Sequence, residues 1–368
     1  MNQIGKVTVA DIEKRIKQKQ KSYPDGHMET TETPINQSGE PTTPHPIQVV
    51  HNRNNNSSSN SNISPPGKLI HQYTTSISNS VSSIVMSSDA QRVYAGGKGC
   101  INLLSSNASK PAEKIVFTEN AFVRSCKISK NESTLIACGE CSGIHIFDID
   151  SQQKKQVIAT QDSNICYNLI CRDDTVFTSL ANGSIGMWDL RSPNQPVRTF
   201  EGHNAPCSVL EFDPLNSKSL FSGSLDKSVK MWDVNTGSII QEYNTDSRVL
   251  TMAASPITDA LVLGLENGSL ETLQNTKAKF RQGSILYKHA DSVLTTKFSP
   301  KGNYFISGGK DCLLSVNRVS PPATREMPSE KHCNSILCSD IVSLPDHDVI
   351  VVGSWDHKAY IYNLKLLS

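Results

Sequence analysis

Three absences narrow what this chain can be. No apolar stretch approaches the roughly 18 residues that a membrane span needs. The opening, Met1 to Ala10, lacks the long apolar run of a secretory signal, which predicts a cytosolic or nuclear protein. In such compartments the cysteines are expected as reduced thiols, mostly small core residues. An excess of one charge is also missing: 36 Lys and Arg stand against 35 Asp and Glu, a net +1. No global field therefore draws the chain onto nucleic acid or a membrane surface.

Large apolar side chains are scarce at the start of the chain. Residues 51–64 are almost entirely Asn and Ser. Such a segment cannot bury enough apolar surface to offset the entropy of ordering it. Residues 1–66 are read as a disordered Asn/Ser/Pro-rich arm, and residues 67–368 as one large domain. The arm holds a basic run, 13–21, open between an import signal or docking helix and a solvated tail. It also holds Thr-Pro and Ser-Pro steps at Thr33, Thr43 and Ser64.

Catalytic signatures are missing as well. Gly96-Gly97-Lys98-Gly99 has part of the pattern of a phosphate loop, but Cys100 and a strand follow it, so it reads as a β-turn. Cys138-Gly139-Glu140-Cys141 has no second pair to complete a zinc site and lies on a hairpin, not at a helix start. No Ser/His/Asp set follows a known local signature. The chain is expected not to be an enzyme and to hold no cofactor or metal.

What is present is a repeat. Alternating apolar and small residues recur around Ser82, Arg124, Tyr167, Ser208, Leu250, Leu294 and Leu337, at intervals of 42, 43, 41, 42, 44 and 43 residues. That is the period of WD repeats, one four-stranded blade each. In the fourth repeat, strands are read at 208–212, 219–223 and 229–233, with a tight turn at 225–227. Trp188-Asp189 and Trp232-Asp233 keep the Trp-Asp pair outright. His203 is expected to hydrogen-bond toward Asp226, with Ser222 and Trp232 extending a buried network that pins the blade. His289 and Asp311 have similar spacing. The fold class is thus all-β, a seven-bladed WD-repeat β-propeller. The last repeat shows only three strands, so the outer strand of that blade is expected from Leu69 to Thr75, closing the ring and hiding its edges.

First strands of a propeller line its channel, and their starts ring one mouth. Here that ring would hold Phe122, Arg124, Tyr167, Leu250, Leu294 and Leu337, with Ser80, Ser82 and Ser208 between them. Apolar anchors with one cation suit a short peptide bearing aromatic side chains.

The strings Arg92–Cys100, Val123–Lys127, Leu135–Glu140, Ser307–Leu314, Asp340-Ile341 and Gly353-Ser354 resemble the propeller of the Groucho/transducin-like enhancer co-repressors. The resemblance runs from about residue 67 to the C-terminus. It implies a nuclear protein that does not bind DNA itself. Its channel mouth would capture peptides of the Trp-Arg-Pro-Trp or engrailed-homology type from DNA-bound transcription factors. The family's binding positions fall on Phe122, Arg124, Glu140, Leu294 and Leu337, with Arg124 and Glu140 able to pair. Phe122 stands where the family has Tyr, and Ser80 where it has Val. The family's tetramerising N-terminal coiled coil has no counterpart in the arm, which leads us to expect a monomer. A second reading rests on Trp188-Asp189-Leu190-Arg191, the form of motif by which substrate receptors of cullin-type ubiquitin ligases dock an adaptor. A third is a generic scaffold.

Overall fold

A computed structural model describes residues 68–365, apart from 77–79, 106–112, 119, 161–164, 193, 277–278, 319–323 and 326–331. The arm, with its basic run and its Thr-Pro and Ser-Pro steps, lies outside the described residues.

Seven antiparallel sheets of four strands each make up the fold. Their first strands are Ser83–Met86, Val123–Ile128, Cys166–Arg172, Cys207–Phe212, Val249–Ala254, Val293–Phe298 and Ile336–Ser343. Each of these packs against the first strand of the next blade, and the seventh packs against the first. The fourth blade shows how local sequence makes a blade. Its strands are Cys207–Phe212, Ser219–Ser224, Ser228–Asp233 and Ile239–Asn244. The second strand is buried along its whole length, while the fourth is half-buried and exposed by turns, as an outer edge should be.

The ring closes as the repeat count requires. Lys68–Ser76 pairs antiparallel with Lys358–Lys365 and completes the seventh blade, so the two ends of the propeller lock in one sheet. At the inner edge of the same joint, Val81 N–H donates to Ser354 O at 3.1 Å and Met86 N–H to an Asp340 carboxylate oxygen at 3.0 Å.

Neighbouring blades mesh through one repeated contact. Near the end of the second strand, Gly96, Gly223, Gly264, Gly308 and Gly353 each face an apolar residue of the next blade: Val123, Val249, Val293, Ile336 and Val81. A Cβ on Gly223 would sit 2.6 Å from a Val249 methyl carbon. The same place between blades 2 and 3 is filled by Cys138 and Cys166, both fully buried, with sulfurs 2.7 Å apart. Two medium side chains there occupy the space that a glycine and a valine share elsewhere.

Within the fourth blade, Trp232 Nε1–H donates to Ser222 Oγ at 2.8 Å, and Ser222 Oγ lies 2.7 Å from His203 Nε2. His203 Nδ1 lies 2.9 Å from Asp226, whose carboxylate accepts from Ser228 Oγ–H and Asn204 N–H as well. One assignment satisfies every atom: Ser222 donates to Nε2, and Nδ1–H donates to the carboxylate. Burial holds the His203 imidazole below the usual histidine range, against the pull of Asp226. Burial would raise Asp226, but its hydrogen bonds from Ser228, Asn204 and His203 outweigh that and hold the carboxyl below the usual range. The pair is therefore a neutral imidazole with a carboxylate at pH 7. The sixth blade repeats the arrangement, with His289 to Asp311 at 2.8 Å and to Ser307 at 2.9 Å, and with the Asn317 amide reaching Ser307 in place of an indole.

Candidate functional site

In blades 2 to 7 the register of the first strand skips one residue against the second. The skipped residues are Arg124, Tyr167, Ser208, Leu250, Leu294 and Leu337. Each is a β-bulge, and a bulge turns its extra side chain out of the sheet's alternation. In blade 1, Ser82 holds the same place, directly before the strand, with its N–H bonded to Gly96 O at 2.9 Å. The residue before each bulge is buried, whereas all seven ring residues are at least partly accessible. All seven line one cavity of about 360 Å³ along the channel.

The ring is uneven. Blades 5, 6 and 7 contribute three successive leucines, Leu250, Leu294 and Leu337. Blades 2 and 3 contribute Arg124 and Tyr167, with the guanidinium 5.8 Å from the centre of the ring. Between these arcs stand the two serines, held down by matching bonds. Ser82 Oγ–H is bonded to Val123 O at 2.6 Å and Ser208 Oγ–H to Val249 O at 2.6 Å. Arg124 also forms an ion pair with Glu140 of its own blade.

Below the ring the wall becomes polar. Lys127, Glu211 and Lys297 line the cavity there. Glu211, with Asp340 adding to it, holds the Lys297 ammonium above the usual lysine range.

Five of the expected site residues thus meet at the cavity: Arg124, Tyr167, Leu250, Leu294 and Leu337. Phe122 and Glu140 are not part of its lining. Phe122 is half-buried, bridges to Lys98, and its carbonyl accepts from Glu140 N–H at 3.0 Å. Ser80, expected at the mouth, is instead buried (6% exposed), because it precedes the ring position by two residues on the entering segment. Residues on this face that the sequence reading missed include Leu225, which lines the cavity, and the half-exposed Trp355. Both occupy the turn that holds Glu140 in blade 2, so the repeat itself was the available signal. The Trp188–Arg191 segment lies elsewhere in blade 3. Trp188 Nε1–H donates to Thr178 at 3.1 Å, and the Arg191 guanidinium is held by both oxygens of Asp189, at 2.9 and 2.7 Å.

Comparison with known proteins agrees with this architecture. The model of the WD domain, G-beta repeat, matches residues 194–233, 280–316 and 328–363. Protein groucho of Drosophila melanogaster is 31% identical over 293 residues, 77% of this chain and 39% of that protein. Transducin-like enhancer protein 2 of Mus musculus is 30% identical over 293 residues, 77% of this chain and 37% of that protein. The match therefore spans less than two fifths of either relative. On these grounds the chain is a WD-repeat protein of the Groucho/transducin-like enhancer family.

Proposed function

We propose that this chain acts in the nucleus as a co-repressor-type interaction module, whose channel mouth captures short peptides of DNA-bound transcription factors. The observation that carries the reading is the ring of bulge residues. In a regular strand successive side chains alternate between the two faces of the sheet, so the ring position would be turned toward a neighbouring blade. The bulges instead present three leucines, a tyrosine and an arginine together at the cavity. Rigid apolar anchors with one oriented cation are what a short peptide needs for affinity and register. Glu140 and Tyr167 hold that cation in place. The His–carboxylate pairs at His203 and His289 are buried within blades and do not line the cavity, which supports binding over acid–base chemistry. No observation specifically favours the ligase-receptor reading.

The test is calorimetric titration of the full chain with a Trp-Arg-Pro-Trp-ended peptide and an engrailed-homology peptide, beside the variants Leu294→Asp and Arg124→Ala. Micromolar binding lost in the folded variants supports the reading. No binding by well-folded wild type overturns it. Co-purification of a ligase adaptor, lost on Arg191→Ala, would put the ligase reading ahead.

A further inference from the structure

The joint between blades 2 and 3 carries chemistry that the glycine joints lack. Those five joints close with a glycine of one blade against a valine or isoleucine of the next. A Cβ built on those glycines would lie 2.9–3.3 Å from the Cβ of its partner. A disulfide spans a Cβ separation of about 3.5–4.5 Å. The repeated joint therefore brings two backbones almost to the reach of that bond, and a small parting is enough. At the blade 3–4 joint the same place holds Ser179, hydrogen-bonded to the Cys207 thiol, both fully buried. At the blade 2–3 joint both residues are cysteine. Cys138 and Cys166 are fully buried, and their sulfurs lie 2.7 Å apart, inside ordinary non-bonded contact.

Each thiol hydrogen of the reduced pair has an acceptor. The Cys138 S–H reaches Cys166 O at 3.9 Å, and the Cys166 S–H reaches Asn168 O at 3.4 Å. Burial, together with the neighbouring Cys166 sulfur, holds the Cys138 thiol well above the usual thiol range. Cys138 therefore rests as a thiol, and reaction with an outside molecule waits on local opening of the joint. The joint stands next to two ring residues. Cys138 is the register partner of Ser125, which follows Arg124 in the chain, and Cys166 directly precedes Tyr167.

We propose that Cys138 and Cys166 are a covalent modification site, a dithiol that a low-molecular-weight disulfide such as glutathione disulfide converts into a bond between blades 2 and 3. The thiolate of one cysteine attacks a sulfur of the small disulfide. That S–S bond breaks, a mixed disulfide forms, and one small thiolate leaves. The second cysteine then attacks the protein sulfur of the mixed disulfide and expels the other small thiolate. The two cysteine protons end on the two small thiols, and two electrons pass from the cysteine pair to the oxidant. The new bond closes a loop between positions 138 and 166, which removes freedom from the unfolded chain. It also keeps the joint beside Arg124 and Tyr167 from opening. The inference does not depend on what the mouth binds.

The test uses the full chain, incubated in its folded state with glutathione disulfide, then alkylated and mapped by mass spectrometry without reduction. We expect a pair of peptides linked through Cys138 and Cys166. The linked chain should melt about 5 °C higher than the reduced chain. Cys333, which is exposed, serves as the internal control by taking up glutathione. Cys138→Ser should melt alike before and after oxidation. It copies the pair of Ser179 and Cys207, so its fold is expected to survive. Should it fail to fold, Cys138→Gly with Cys166→Val, which copies the glycine joints, takes its place. Glutathione on Cys333 with no link between Cys138 and Cys166 in the folded chain overturns the proposal. So does a link that forms only in urea, a linked chain that melts no higher than the reduced one, or an equal rise in the control variant.

Discussion

The Arg124 guanidinium lies 5.8 Å from the centre of the Tyr167 ring, so the polar arc of the mouth is shared by two blades. Arg124 also pairs with Glu140, but both side chains are partly exposed, at 44% and 28%. Such a pair contributes at most about 1 kcal/mol to folding. Arg124→Ala should therefore leave the unfolding free energy nearly unchanged and weaken peptide binding about tenfold. Denaturant unfolding beside calorimetric titration checks both halves. A large stability loss with unchanged affinity would make Arg124 a structural residue.

Cys138 and Cys166 fill a slot that glycine and valine fill elsewhere, with sulfurs 2.7 Å apart. Cys166→Val alone crowds the slot and should cost about 1–3 kcal/mol. Adding Cys138→Gly restores the arrangement of the other joints and should recover most of that loss. Urea unfolding of the two variants, under reducing conditions, measures the recovery. Simple additivity of the two changes would contradict the exchange of volume.

Ser222 serves both His203 and Trp232. Ser222→Ala leaves an imidazole nitrogen and an indole N–H buried without that partner, at about 1–3 kcal/mol for each orphaned group. In a double-mutant cycle, Trp232→Phe should cost less in the Ser222→Ala background than in wild type. Equal costs would mean that the indole bond does not couple to the serine.

Acid should loosen the blades before the carboxylates titrate. Burial lowers the His203 imidazole, and burial with Lys154 nearby pushes His145 down to about 4. A lowered histidine takes up its proton later in the folded state than in the unfolded state. Between the ordinary value of 6.5 and about 4 the unfolded chain therefore binds more protons, and stability falls as pH falls. Asp226, also lowered, adds a second loss below its ordinary 3.8. The melting temperature should drop steadily from pH 7 to pH 4, and less steeply in His145→Asn. A flat profile across that window would contradict it.

Removal of residues 1–76 takes away Lys68–Ser76 and bares the edge of Lys358–Lys365. An unpaired edge of that length invites pairing between molecules. The truncated chain should melt lower and form higher-mass species on size exclusion, whereas a truncation ending at residue 67 serves as control. Monomeric behaviour and unchanged melting of the shorter chain would show that closure does not depend on this strand.

The blade pattern was legible because each blade is written within about forty consecutive residues. Period-two apolar runs, small residues at the close of second strands and polar turns recur in every repeat. The ring positions were legible for the same reason, since one repeat step leads from Arg124 to Tyr167 and from Leu294 to Leu337. The reading went astray away from the ring positions themselves. Ser80 is near Ser82 in sequence but is buried, and Trp355 was passed over although it occupies the place of Glu140.

By itself, then, the sequence determined that there are seven blades, where their strands run, that an entering strand closes the ring, and which residues stand at equivalent places. These follow from local alternation and from a repeat interval that varies by only a few residues. Only the tertiary structure decided which side chains share a space. The bulges of blades 2 to 7, with Ser82 of blade 1, bring residues from seven blades around one cavity, the serines separate a leucine arc from an Arg–Tyr arc, and Cys138 meets Cys166 in a slot made for glycine and valine. None of these neighbours is close in the chain. They come together only when each blade is packed on the next and the last is closed on the first, because the hydrophobic driving force that does this is non-directional, and the backbone pairing and side-chain volumes choose the partners.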